Sequence, residues 1–147
     1  MIYDRIKFVT PEGVNVDIEF PDRISVITGN SSTGKTFFAD YVEGVIASKS
    51  RELMSEMSLK DNVVIFRDTD IRGILSVEEL KGLKGKLIII DEADNIMSDE
   101  IADYINTDFD NQYLIFSRCN TRISTSPTAI GEFIREDKRI YAEYDRW

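Results

Sequence analysis

The densest chemistry in this chain lies at residues 29–36, Gly29-Asn30-Ser31-Ser32-Thr33-Gly34-Lys35-Thr36, which fit G-x-x-x-x-G-K-[ST] at every position. A backbone that wraps an anion needs residues tolerant of unusual angles and close approach, and Gly29 and Gly34 supply them. The converging N–H groups then form a nest for phosphate oxygens. Lys35 sets a cation between the outer phosphates, and Thr36, in the first helical turn, offers an oxygen to Mg²⁺. The same turn, with Phe37 next in line, faces the anion with the positive end of its dipole. At average residue usage this pattern arises by chance in only about 0.5% of chains of this length, so the spacing itself is informative. A second constellation closes "KLIIIDEAD" (86–94), where an apolar run ends in acid. Asp91 is suited to hold a magnesium shell, and Glu92 to polarise a water aimed at a γ-phosphorus.

These residues need elements to position them. "RIKFV" (5–9) and "VNVDIEF" (14–20) alternate apolar and polar residues across a turn, and "RISVIT" (23–28) follows Pro21-Asp22. This predicts a three-stranded antiparallel start whose third strand runs into a central sheet. After Lys35 the period changes: Phe38, Tyr41 or Val42, Val45 and Ile46 recur at helical spacing to about residue 49. Residues 50–61 fit either an extension of that helix or a connection. "NVVIF" (62–66), "LIII" (87–90) and "QYLIF" (112–116) are continuous apolar runs of the kind buried in parallel sheets. Ser76 with Glu79 predicts a capped short helix, and Ser98 caps another over 98–106. "AIGEFIRE" and "RIYAEYD" flank Asp137-Lys138 as a closing hairpin. Strand and helix alternate, which predicts one α/β domain over 1–147 with a mainly parallel sheet between helical layers.

With both constellations in place, the chain resembles the P-loop NTPases. The adjacent Asp91-Glu92 resembles the branch with an additional catalytic glutamate, which includes ABC-type, AAA-type and helicase ATPases. The resemblance covers residues 23–118 and implies a three-layer core, with the N-terminal antiparallel strands and the C-terminal hairpin as additions. It also implies a strand inserted between the phosphate-loop strand and the magnesium strand. The strand after the magnesium strand, "QYLIFSR", then ends at a polar sensor, which makes Ser117 and its neighbour Arg118 the matching positions. The antiparallel start resembles the small β-subdomain of ABC-type heads. "LSVEE" (75–79) sits where their signature loop would be but lacks its paired glycines. "DEAD" (91–94) looks like the namesake motif of RNA helicases, whose two lobes 147 residues cannot supply.

Composition narrows the classes further. With one cysteine, Cys119, and no histidine, the chain has neither an intrachain disulfide nor a histidine general base, and a zinc site is disfavoured. The 18 basic and 27 acidic residues leave a net charge of −9, which gives nucleic-acid binding no support. No apolar run is long enough to span a bilayer, and "MIYDRIKF" lacks the pattern of a signal peptide, so the expected location is cytoplasmic. The expected activity is magnesium-dependent ATP binding with hydrolysis. An arginine completes many such sites; Arg118, Arg122 and Arg67 are candidates here, in cis or from a protein partner or second copy. A guanine-reading N-K-x-D motif is absent, which favours ATP. Two other readings use the same loop: a nucleotide-dependent switch or assembly protein, and a small-molecule kinase, which needs an arginine-bearing lid not evident here.

Overall fold

The structure, a computed structural model, describes residues 2–30, 33–68, 73–118 and 128–146, with Arg146 described in its backbone alone. Ser31, Ser32, Cys119, Arg122 and Trp147 lie outside these, as does most of the hydroxyl-rich "TRISTSPT" stretch. The strands are β1 (Arg5–Val9), β2 (Asn15–Glu19), β3 (Ile24–Thr28), β4 (Val63–Phe66), β5 (Leu87–Ile90), β6 (Gln112–Phe116), β7 (Thr128–Glu136) and β8 (Arg139–Arg146). The helices are α1 (Lys35–Ser48), α2 (Arg51–Glu56), α3 (Val77–Lys81), α4 (Ala93–Ile96) and α5 (Asp99–Thr107). Among the described residues, no helix is long and apolar enough to cross a membrane.

All eight strands form one mixed sheet in the order β1-β2-β8-β7-β3-β6-β5-β4. Two antiparallel hairpins, β1–β2 and β7–β8, are joined by a parallel β2–β8 pairing. The run β7-β3-β6-β5-β4 is parallel throughout. β6 lies between β3 and β5, the strand order that the resemblance implies.

The expected fold class is nevertheless corrected. The hairpins are not additions to a three-layer, mainly parallel core. They make up half of a curled sheet shaped like a half-barrel. β2 and β3 are also not antiparallel neighbours, since β8 and β7 lie between them. The packing gives the reason. On the concave face, Ile6, Phe8, Val16 and Ile18 of the first hairpin share one apolar cluster with Phe38 and Val42 of α1 and with Leu87 and Leu114. The sheet wraps α1 instead of lying flat beneath it. On the convex face, α3, α4 and α5 cover β3, β5 and β6, and that cluster contains no residue of β1, β2 or β8. There the first hairpin carries charge instead, with Arg5 paired to Asp17 at 2.8 Å and to Glu19.

The buried strands show why their sequences are uniformly apolar. Leu87 and Ile89 face the concave cluster while Ile88 and Ile90 face the convex one, and Leu114 and Tyr113 divide likewise. Successive side chains point to opposite faces, so a strand covered on both sides has no polar phase. At the centre of the concave face, the rings of Phe38, Phe116 and Phe133 meet edge to face, with centroids 5.4–6.0 Å apart. Each such contact adds about 0.5–1.5 kcal/mol beyond burial, and together they tie α1 to β6 and β7.

Local signals are met at several places. Ser76 and Glu79 make both bonds of a capping box, and Ser98 caps α5. Within residues 50–61 a separate helix, α2, occupies Arg51–Glu56, because Lys49 turns left-handed and Ser50 caps afresh, and the remainder connects to β4. Other ties are tertiary. The Gln112 side chain accepts from the N–H groups of Ile2 and Tyr3 and donates to Tyr3 O, fastening the N-terminal segment across β6. Arg23 donates to the carbonyls of Ile105, Asp108 and Asn106, closing the C-terminal end of α5.

One glycine is required by the hairpin. The β7–β8 register shifts between Ile130 and Gly131, and a Cβ on Gly131 would lie 2.3 Å from Glu143 O. That neighbour is backbone and cannot turn aside. Gly131→Ala is expected to lower stability by at least about 2 kcal/mol, read as a lower urea midpoint at unchanged slope. An unchanged midpoint would show that the bulge tolerates a side chain.

Candidate functional site

β3 feeds directly into the loop, and α1 begins at Lys35 immediately after it. Gly29 and Gly34 adopt φ of 114° and 111°, left-handed values that a side chain strains against. A Cβ on Gly34 would also crowd Ile140 of β8, whose Cδ1 would lie 3.1 Å away. Gly34 supplies no side-chain cap to α1, and no acid stands in its first turn. The helix start therefore keeps its positive end for another group.

A cavity of about 330 Å³ opens in front of that helix start. Lys35, Thr36, Asp91, Glu92, Ser117 and Arg118 all line it, joined by Asp94, Asn95 and Phe116. The sheet order explains the convergence. β3, β6 and β5 are parallel neighbours, so the residues that follow their carboxyl ends meet at one edge. Of the other described residues of this stretch, Gly29, Asn30, Thr33, Gly34 and Phe37 do not line the cavity. The Phe37 ring packs toward the hairpin, with the Arg135 guanidinium 5.6 Å from its centre. Asn30 offers its carbonyl to the Thr33 hydroxyl at 3.0 Å. A larger hollow of about 750 Å³ lies between β1 and the α1–α2 segment, lined by Tyr3, Lys7, Tyr41 and Met57 among others. It holds none of the loop or acid residues, so its size does not make it the candidate site.

Within the smaller cavity the charges are organised. The Lys35 side chain is buried, and its ammonium donates to Gly29 O and, at 3.3 Å, to Ser117 O. Burial lowers its pKa; Asp94 and Asp91 oppose that, Arg118 adds to it and Glu132 opposes it. Asp91 is also buried, and its Oδ1 accepts the Glu92 N–H at 3.0 Å. Its Oδ2 lies 3.1 Å from Arg67 Nη2 but receives no well-formed hydrogen bond among the described residues. The distance defines an ion pair whose angles leave acceptor capacity unused. Glu92 is exposed and left-handed, at φ 53° and ψ 47°, a conformation costing a non-glycine residue about 1–2 kcal/mol. Backbone strain of this kind is found at functional turns.

Ser117 is buried at the end of β6; its hydroxyl bonds the Asp94 carboxylate, which also accepts the Arg118 N–H at 3.1 Å. Sequence reasoning missed Asp94 as a site residue, although it stood within the quoted "DEAD". Its role depends on β6 lying beside β5, and no local pattern carries that information. Arg67, one of the three candidate arginines, follows β4, and its guanidinium is held by Asp40, Glu43 and Asp91. "LSVEE" serves as the capping box of α3. The residues present suit magnesium: an exposed Thr36 hydroxyl and the underused Asp91 Oδ2 are hard oxygen donors on one cavity. Among the described residues there is no cluster of three or more histidine, cysteine or acidic ligands able to hold a metal. Magnesium, which keeps waters and phosphate oxygens as ligands, does not need one. No family model matches the chain, and no curated protein matches it.

The buried ammonium makes a signed prediction. Because the folded pKa of Lys35 lies below the ordinary 10.5, the unfolded chain binds the extra proton between the two values. Stability contributed by this group then rises with pH across that window. The melting temperature of the unmodified chain should gain on that of Lys35→Met as pH rises toward 10.5, because burying the charge costs less as it titrates. Comparing the two proteins cancels the tyrosines, of which Tyr3 and Tyr144 are shifted upward and act in the opposite sense. A melting-temperature difference that stays constant with pH would refute the assignment.

Proposed function

We propose that this chain binds ATP with magnesium at the 29–36 loop and hydrolyses it to ADP and phosphate. One observation carries the reading: Lys35, Thr36, Asp91, Glu92, Ser117 and Arg118, far apart in sequence, line a single cavity at the start of α1. The loop amides and the Lys35 ammonium would take the outer phosphates, exchanging the Gly29 and Ser117 carbonyls for phosphate oxygens. Thr36 and Asp91 would hold the metal, which when bound offsets phosphate charge and polarises the transferring group. Glu92, exposed at the cavity rim, would orient the attacking water and take its proton. Asp94 holds the Ser117 hydroxyl, and Ser117 in turn accepts Lys35, so a change at the γ-phosphate has a bonded route to β6.

A second reading, a nucleotide-dependent switch with slow turnover, has its own support. Of the two candidate arginines within the described residues, Arg67 is bound to carboxylates, leaving Arg118 as the arginine on the cavity. A partner or second copy would then supply a second arginine, and specific activity would rise with protein concentration.

The test pairs labelled-ATP uptake with phosphate release, each with and without magnesium. Lys35→Ala is expected to weaken uptake at least tenfold. Glu92→Gln should retain uptake and lose release by about 10²–10⁴-fold, the usual worth of a positioned acid–base group. Uptake unaffected by Lys35→Ala removes the loop from the function, and release unaffected by Glu92→Gln removes Glu92 from the chemistry.

A further inference from the structure

We propose that Arg67 is the resident counter-ion of Asp91, and that the magnesium complex of the nucleotide displaces it onto Asp40 and Glu43 of α1. This rests on the reading of Asp91 as the metal-facing carboxylate. The geometry behind it is a divided guanidinium. Nη2 lies 3.1 Å from the Asp91 carboxylate, whose side chain is 4% exposed. Nη1 lies 2.5 Å from Asp40 and 3.3 Å from Glu43, whose side chains are 61% and 49% exposed. One cation thus bridges a buried acid and two surface acids.

The two ends of that bridge are not equivalent. A carboxylate removed from water needs a partner, and among the described residues Arg67 is the one cation in ion-pair contact with Asp91. A divalent ion arriving at the same carboxylate repels the guanidinium and takes over its task. Asp40 and Glu43, in contact with solvent, keep Arg67 paired after it lets go. The journey is short because Nη1 already sits there, and the planar fork offers further donors in place. Thr36, Asp40 and Glu43 follow one another at i, i+4 and i+3 spacing along one face of α1. The helix that begins at the phosphate loop therefore also carries the receiving seat. Arg67 is in this account a positioning residue: it acts through Asp91 and sets how readily that carboxylate accepts the metal.

The consequence is opposite in sign for the two sides of the bridge. Magnesium is titrated into the full chain with a fluorescent ATP analogue, and the magnesium concentration giving half-maximal anisotropy is recorded. Arg67→Gln is expected to lower that concentration at least about fivefold, the lower end of ordinary site-to-site coupling. Binding in the presence of a chelator should change little. Asp40→Asn with Glu43→Gln should raise it, because Arg67 then has Asp91 as its remaining seat.

The triple variant decides the mechanism. If the surface acids act through Arg67, their effect vanishes once Arg67 is gone, and the triple variant matches Arg67→Gln within about twofold. Shifts that simply add would mean that each charge acts on the metal independently through space, and would overturn the proposal. So would an Arg67→Gln titration identical to that of the unmodified chain, with nucleotide uptake itself left standing. Failure of the unmodified chain to take up nucleotide at all would overturn the underlying reading as well. If Arg67→Gln does not fold, Arg67→Lys, which keeps the charge without the fork, should shift the titration in the same direction by less.

Discussion

Two opposite charges are drawn out of water at one end of the sheet, and the arrangement around them follows from the need to compensate both. Lys35 and Asp91 are each nearly inaccessible. In a medium less polar than water an isolated charge is costly, and proteins keep it by pairing it or surrounding it with dipoles. The ammonium is met by two main-chain carbonyls, those of Gly29 and Ser117, which are partial charges fixed by the ends of β3 and β6. The carboxylate is met by a full charge, Arg67, brought by the end of β4. Asp94 then binds the Ser117 hydroxyl and the Arg118 amide. Four strand ends are thereby linked through polar contacts, and displacing any one disturbs the compensation of its neighbour.

Such an edge requires a firm support, and the curl of the sheet provides it. The β7–β8 hairpin lies against the loop closely enough that Ile140 fills the space a side chain on Gly34 would need. Glu132 stands similarly beside Gly29. The phenylalanine trio fixes α1 against β6 and β7 just beneath. The first hairpin reaches α1 from the other side, where Phe8 stacks on Tyr41 with ring centres 4.3 Å apart. The helix whose first turn faces the cavity is thus gripped from both arms of the half-barrel. On the proposed reading that rigidity would matter, because a backbone nest acts through direction: its N–H groups must already point inward when an anion arrives.

These supports were unequally legible in the residues. Whatever depends on neighbours along the chain could be read: the alternation of "RIKFV", the capping pair Ser76 and Glu79, the cap at Ser98, and the loop with its two glycines. Sheet membership could not. The alternating pattern of "NVDIE" records that one face is covered and is silent on whether the adjacent strand is β3 or β8. The same holds for the closing hairpin, which pairs as expected yet sits between the two ends of the sheet. A three-layer arrangement followed from assuming that helices cover both faces, whereas the first hairpin's outer face is closed by Arg5, Asp17 and Glu19. At the site, residues that follow a strand, such as Asp91 and Ser117, could be assigned to its end. The partners of Arg67 on α1 and the bond from Asp94 to Ser117 are products of strand order, which no single segment encodes.

The charge of the cavity itself bears on what can enter it. Two cationic side chains, Lys35 and Arg118, line it with three anionic ones, Asp91, Glu92 and Asp94. A bare polyanion meets a surface that is negative before it arrives, and the helix start and loop amides answer only its nearest oxygens. Adding a divalent cation reverses the sign of the problem, since the acids that repel phosphate then become its ligands or neighbours. Arg67 moderates this from behind, because it weakens the field of Asp91 as long as it remains attached. Metal and nucleotide are therefore expected to depend on each other for entry, each cancelling the repulsion the other meets. On the proposed reading, a site arranged in this way would discriminate against metal-free phosphate compounds without contacting a base, through the balance of fixed charges.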